Sequence, residues 1–363
     1  MAKELSIEER MNLIKSVADG GEIIGEDELR ILLKSGKKLI AYDGFEPSGK
    51  IHIAQGLLRT INVNKMIKAG VKFKMLVADW HAWANNKMNG DLDKIQIVGK
   101  YFIEVWKACG MDLKNVEFIW ASDLLNNREY WKTVLQVSRS TTLKRILRTT
   151  QIMGRSEKDD LSASQIIYPC MQASDIFHLK ADICQLGLDQ RKVNILAREI
   201  GEKIGFYKPI IVSHHMLMGL NPPSSNSEEI EKSIDQKMSK SKPDSAIFMT
   251  DSKEEVERKF GKAYCPEGEI KDNPVLEYCK YIIFEKIDKF VLERSEKFGG
   301  NVSFKSYDEL EEAYNKKEIH PLDLKKASAK YINEFLEEVR GYFQKNKTAK
   351  DLLKKVEGFK VTR

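Results

Sequence analysis

Cysteine pairs, long apolar runs and familiar nucleotide loops are all missing from this 363-residue chain. Its five cysteines (Cys109, Cys170, Cys184, Cys265, Cys279) are odd in number and scattered, with no CxxC pair. That excludes a disulfide framework and a zinc knuckle, and points to a reducing cytosol. No stretch approaches the ~20 continuous apolar residues of a membrane span. The opening MAKELSIEER is polar and acidic, without the basic-then-apolar order of a secretory leader, so a cytoplasmic protein with no membrane partner is expected. Neither GxxxxGK[ST] nor GxGxxG occurs, and no His/Cys/Asp/Glu cluster has the ligand spacing of a metal site. His214-His215, adjacent at a strand end, reads as structural. Internal repeats and long low-complexity segments are absent as well.

Net positive charge is in short supply over most of the chain. The net charge is +6, but residues 341–363 carry Lys345, Lys347, Lys350, Lys354, Lys355, Lys360 and Arg363 against Asp351 and Glu357, so the first 340 residues sum to only +1. The basic tail reads either as a phosphate contact or as a solvated helix end. What is plentiful is core material: 42% apolar residues exclude wholesale disorder, and the length suggests two domains.

Residues 1–36 read as two amphipathic helices broken by Gly20-Gly21. Short apolar runs then follow at 37–45, 72–78, 116–121, 181–186 and 209–214, separated by helical patterns at 92–109 and 130–153. Such alternation predicts an α/β fold with a parallel sheet, whose ligands bind beyond the carboxyl ends of the strands. From Asn221 to about 246 the chain is polar and rich in Ser and Pro, a functional or disordered loop. Beyond Asp251 it becomes mainly helical, which sets a domain boundary near 245–255 and divides the chain into 1–36, 37–250 and 251–363.

Gly44-Phe45-Glu46-Pro47-Ser48-Gly49-Lys50-Ile51-His52 turns from the first strand into a helix expected over 51–65. A glycine-bearing turn at a helix N-terminus presents N–H groups and the positive end of the dipole to an anion. His52, in the first turn, is placed to donate to a phosphate oxygen, although an ordinary strand-turn-helix would look the same. Lys237-Met238-Ser239-Lys240-Ser241 sets two lysines three residues apart on a polar loop, as point charges for a polyphosphate. Tyr168, Gln172 and Asp175 stand at i, i+4 and i+7, one face of a helix expected to begin near Pro169.

Lys237–Ser241 is the full KMSKS signature of class I aminoacyl-tRNA synthetases, and HIAQ at 52–55 resembles a degraded HIGH signature in which Ala54 and Gln55 replace the glycine and second histidine. With YDGFEPSGKIH, LVADWHAW, TTLKR, IIYPCMQASDI, GLDQRK, AYCPEGEIKDNP, FGGNVSFKSYDEL and IHPLDLKKA in order, the chain resembles the tyrosyl-tRNA synthetases of the archaeal and eukaryotic-cytosolic type over most of its length. The resemblance implies a Rossmann-like catalytic domain followed by an α-helical anticodon-binding domain.

It also implies roles. Tyr42 and Asp175 would bracket the substrate phenol, and Tyr168, Gln172 and Gln190 would hold the α-ammonium. Gly44, Glu46, Ala78 and His81 would line the tyrosine and adenylate site, with Gly187 and Asp189 at the ribose. His52, Lys237 and Lys240 would act on the phosphates, with Met238, Ser239 and Ser241 completing the ATP loop. Lys144, Arg145, Arg148 and Arg191 would lie near the acceptor stem, and Phe298, His320 and Asp323 at the anticodon. Substrates would be L-tyrosine, ATP with Mg²⁺ and tRNA(Tyr), the assembly a homodimer, and no tightly bound cofactor is expected. A tryptophan-specific sibling would share the KMSKS loop, but an indole has one donor where a phenol both donates and accepts, which the Tyr–Asp pair suits better. A catalytically silent RNA-binding relative would have no reason to keep His52, Lys237 and Lys240.

Overall fold

The computed structural model describes residues 5–155, 159–223, 238 and 243–359. Its main sheet contains β1 (Glu22–Ile24), β2 (Ile40–Phe45), β3 (Lys72–Val77), β4 (Val116–Trp120), β5 (Ile183–Cys184) and β6 (Ile210–Ser213), in the order β1-β6-β5-β2-β3-β4. All neighbours run parallel except β1, which pairs antiparallel with β6. The interior strands have both faces covered, hence their near-continuous apolar runs.

The helices are α1 (Ile7–Val17), α2 (Glu26–Lys34), α3 (Arg59–Lys68), α4 (Asp79–Ala84), α5 (Leu92–Ala108), α6 (Ala121–Leu125), α7 (Arg128–Arg139), α8 (Leu143–Thr149), α9 (Ala163–His178) and α10 (Arg191–Ile200). Beyond the sheet lie α11 (Lys253–Lys262), α12 (Pro274–Tyr278), α13 (Tyr307–Asn315), the 25-residue α14 (Pro321–Lys345) and α15 (Lys347–Glu357). Capping boxes start α1 at Ser6–Glu9 and α9 at Ser162–Gln165, satisfying donors that a helix start leaves open.

Several sequence expectations change. The N-terminal segment is not helical throughout, because Glu22–Ile24 pairs with the free edge of β6. The pattern over 130–153 breaks at Ser140: α7, α8 and a 3₁₀ turn at Thr150–Met153 replace one long helix. The C-terminal part includes a small antiparallel sheet of β7 (Phe290–Leu292) and β8 (Val302–Phe304). These strands are three residues long, too short for periodicity to reveal. Finally, α9 begins six residues before Pro169, which therefore lies inside the helix. The Ser162–Gln165 capping box outweighs the proline signal.

Running outward from β2, the chain builds β3 and β4 on one side, then β5 and β6 on the other. The reversal falls between β2 and β5, where Tyr42 is in register with Cys184. A crevice must open at the carboxyl ends of these two strands, because the following connections depart in opposite directions.

Candidate active site

That crevice is a cavity of about 570 Å³. Its wall includes every described residue assigned above to tyrosine or ATP: Tyr42, Gly44, Glu46, His52, Ala78, His81, Tyr168, Gln172, Asp175, Gly187, Asp189, Gln190 and Met238. Lys237, Ser239, Lys240 and Ser241 lie outside the described residues. Met238 is buried, with Tyr278 Oη 3.8 Å from its sulfur.

At the end of the cavity formed by α9, Asp175 is fully buried. Tyr130 Oη donates to its Oδ1 at 2.7 Å, and His81 Nε2 stands 2.9 Å from its Oδ2. The latter contact is out of line for a hydrogen bond, so both atoms keep unused capacity. Burial opposes charge on His81, but Asp175, followed by Glu46 and Asp79, outweighs it and raises the imidazole pKa. Tyr42, also buried, has no hydrogen-bond partner for its hydroxyl among the described residues. Burial first, then nearby Cys184 and Asp175, drives its pKa far above the ordinary phenol value, so it stays neutral and able to donate.

Gln172 Nε2 donates to Gln190 Oε1 at 3.0 Å, and Gln190 Nε2 to the Ile152 carbonyl at 3.0 Å. Each amide is thereby oriented, which leaves Gln172 Oε1 as an acceptor. Glu46 accepts from Asn85 Nδ2 at 3.0 and 3.2 Å, with Lys87 Nζ 3.6 Å away. Lys87 rides on a turn in which Asn86, Met88 and Asn89 have φ near +55°. For Met88 that is a strained conformation, and its buried side chain holds it there.

The helix beginning at the phosphate turn starts later than expected. A π-helical turn, Ala54–Leu58, leads into α3, and Ile53 N–H is already donated to the Ile247 carbonyl. Residues 246–249 run alongside, with His52 paired to Phe248 and Met249 N–H bonded to the Ile51 carbonyl. This close approach explains Gly56, where a Cβ would lie 2.5 Å from Met249 Cγ. Only part of the anion-binding potential of this helix start is therefore open.

The assigned RNA contacts fall into two groups. On α8, Lys144 and Arg148 are exposed, whereas Arg145 pairs with Glu199 at 2.5 Å; Arg191, opening α10, pairs with Glu22 at 2.6 Å. In the C-terminal part, Phe298 ends a 3₁₀ turn, and His320 caps α14, its Nδ1 accepting from Leu322 N–H at 3.2 Å beside Asp323. The basic tail begins in the last turn of α14 with exposed Lys345 and continues as α15, whose Ala349 and Val356 are buried while Lys347, Lys350, Lys354 and Lys355 face outward. Lys360 and Arg363 lie outside the described residues.

Sequence reasoning missed the polar floor beneath the cavity. Arg59 is fully buried: Nη1 donates to Asp43 Oδ2 at 2.8 Å and to the Gln185 carbonyl at 3.3 Å, and Nη2 to Gln185 Oε1. Asp43 Oδ1 accepts from Gly44 N–H at 2.7 Å. One guanidinium thus joins β2, the end of β5 and the first turn of α3. Burial lifts the Asp43 carboxyl to about 6, partly offset by Arg59. A signal existed: Arg59 shares the apolar stripe of Val63 and Met66 at i, i+4 and i+7, and Asp43 and Gln185 interrupt apolar strands. Tyr130 and Asn85 carried no such mark.

Residues 34–337 match the family model described as tRNA synthetases class I (W and Y). The chain is 51% identical over 360 residues to tyrosine–tRNA ligase 1, cytoplasmic, of Arabidopsis thaliana, across 98% of this chain and 90% of the relative. It is 43% identical over 358 residues to a tyrosine–tRNA ligase of Saccharolobus islandicus, across 97% and 98%. The crystal structure of tyrosyl-tRNA synthetase from Pyrococcus horikoshii, complexed with L-tyrosine, matches with a TM-score of 0.89 at 39% identity, over 96% of this chain and all of that one. By sequence across almost its whole length, and by the architecture around the cavity, this chain belongs to the tyrosyl-tRNA synthetases of class I.

Proposed function

We propose that the cavity binds L-tyrosine and ATP side by side, forms tyrosyl-adenylate and pyrophosphate, and then passes the tyrosyl group to the terminal adenosine of tRNA(Tyr). One observation carries the choice of amino acid. Tyr42 and Asp175 both line the cavity, and their buried Oη and Oδ2 atoms make no aligned hydrogen bond among the described residues, Oδ2 having only the out-of-line His81 Nε2 at 2.9 Å. Buried polar atoms are rarely left so, and a phenol hydroxyl satisfies both by accepting from the tyrosine and donating to the aspartate. An indole N–H would satisfy only one.

The attacking carboxylate of tyrosine is already ionised, so the first step needs no general base. Catalysis rests on positioning and on stabilising charge at the transferring phosphoryl group. His52 and the remaining donors of the helix start serve the α-phosphate, while Lys237 and Lys240 hold the departing pyrophosphate. Mg²⁺ arrives with ATP as part of the substrate, ligated mainly by phosphate oxygens and water. Tyr168, Gln172 and Gln190 receive the α-ammonium.

Residues 251–363 read the anticodon through Phe298, His320 and Asp323, while α8 and Arg191 meet the acceptor end. For Arg145 and Arg191 this requires exchanging a carboxylate partner for phosphate. The chain works in the cytoplasm as a homodimer. Exposed Trp131 and Leu135 on α7, Leu143 on α8 and Ile167 on α9 support a partner surface there. ATP–pyrophosphate exchange with tyrosine, tryptophan and phenylalanine in parallel tests the reading. Tyrosine-dependent exchange is expected; exchange with tryptophan instead, or with none of the three, overturns it.

A further inference from the structure

His214 stands at the end of β6, where its backbone bridges to Gly187 and its carbonyl accepts from Leu188 N–H at 3.1 Å. It lines the cavity together with Gly187 and Asp189. Two groups approach Nδ1: Gln185 Nε2 at 3.2 Å and Arg59 Nη1 at 3.5 Å. A guanidinium nitrogen is always a donor. The Gln185 amide is equally fixed, because its Oε1 accepts from Arg59 and its Nε2 also reaches the Val212 carbonyl at 3.4 Å. Both N–H groups of Arg59 Nη1 already serve Asp43 and the Gln185 carbonyl, so the Gln185 amide is the donor that makes Nδ1 the lone-pair atom, and the neutral ring then holds its proton on Nε2.

Burial, then the neighbouring charge of Arg59, then His215, outweigh the opposing pull of the Leu186 backbone carbonyl and keep the ring neutral, with a pKa well below the usual histidine value. Nε2 in turn stands near Gly187, which the family resemblance assigns to the ribose. The position a Cβ at Gly187 would take is 3.6 Å from His214 Nε2 and 2.7 Å from Asp189 Oδ1. The floor of the site therefore presents a fixed N–H donor and a carboxylate acceptor around the same glycine.

We propose that His214 is a substrate-contacting residue, whose Nε2–H donates to an acceptor atom of the adenosine half of ATP. Arg59 and Gln185 act as positioning residues that choose its tautomer. The inference rests on the reading of the cavity as a tyrosine-activating site. It assigns to His214 a role on the nucleotide and none on the amino acid.

The test compares wild type, His214→Leu and His214→Gln as full chains in ATP–pyrophosphate exchange, varying ATP and tyrosine separately. Loss of one neutral hydrogen bond should raise KM for ATP about fivefold in His214→Leu. KM for tyrosine should stay unchanged, and His214→Gln, which keeps a donor, should recover most of the loss. An unchanged KM for ATP, or equal rises in both KM values, overturns the proposal. Should His214→Leu fail to fold, [¹⁵N]histidine-labelled wild-type enzyme decides: an Nε2–H tautomer at pH 7 whose signal shifts on adding ATP supports the assignment. An Nδ1–H tautomer, or no response to ATP, defeats it. Absence of tyrosine-dependent exchange in the wild type would be a different failure, that of the underlying reading.

Discussion

Tyr42→Phe separates substrate recognition from stability. The Tyr42 ring is packed at the switch point, and phenylalanine keeps that packing, so no cavity term arises. The hydroxyl makes no hydrogen bond among the described residues, so its removal should leave the free protein equally stable or slightly more so. In the complex proposed above, the same hydroxyl would donate to the substrate phenol. A neutral hydrogen bond is worth about 0.5–1.5 kcal/mol, which corresponds to roughly a two- to tenfold loss in kcat/KM for tyrosine. Phenylalanine offers no oxygen to receive it, so the tyrosine-to-phenylalanine ratio should fall by the same factor. Asp175→Asn removes a charged acceptor and should cost more, about 1.5–3 kcal/mol. Pyrophosphate exchange with both amino acids, alongside thermal melting, gives the answer. A clear drop in Tm with an unaltered tyrosine-to-phenylalanine ratio would refute the argument, because Tyr42 would then be a structural hydroxyl.

Other expectations concern the floor, the loop and the partner surface. Arg59→Met strands Asp43 in the core and should destabilise by about 3–5 kcal/mol in urea unfolding, while Asp43→Leu/Arg59→Met should regain most of that. The Asp43 carboxyl, lifted from 3.8 to about 6 by burial, holds its proton in the folded state where the unfolded chain has released it. Its contribution to stability is therefore full below about pH 4 and lost as pH rises through 6; Asp43→Asn should flatten that slope between urea midpoints measured at pH 4 and 7. Lys240→Ala should slow adenylate formation far more than it weakens tyrosine binding, and unchanged pre-steady-state formation would remove the lysine from the mechanism. Leu135→Glu, at an apolar site 65% exposed, should shift sedimentation equilibrium toward monomer.

The parallel sheet was legible because its strands are short apolar runs between helical stretches, a pattern set by burial on both faces. Tyr168, Gln172 and Asp175 were legible as one face because helical spacing survives an error in where the helix begins. Asp175 is a buried carboxylate with one oxygen saturated, and that was not legible. Its donor, Tyr130, is 45 residues away on another helix, and no local pattern links them. Nor could the sequence reveal that the helix start after His52 is partly occupied. The occupying carbonyl, Ile247, comes from a segment nearly two hundred residues later.

Elements, their order and the chemical types at the site follow from local forces: propensity, periodicity and turn chemistry act within a few residues, and a sequence displays them directly. The tautomer of His214, the raised pKa of Asp43 and the open valence of Asp175 depend on which distant groups arrive within about 3 Å and on how much water they exclude. Both conditions come into being only when the strands close around the switch point, so the tertiary structure alone decided them.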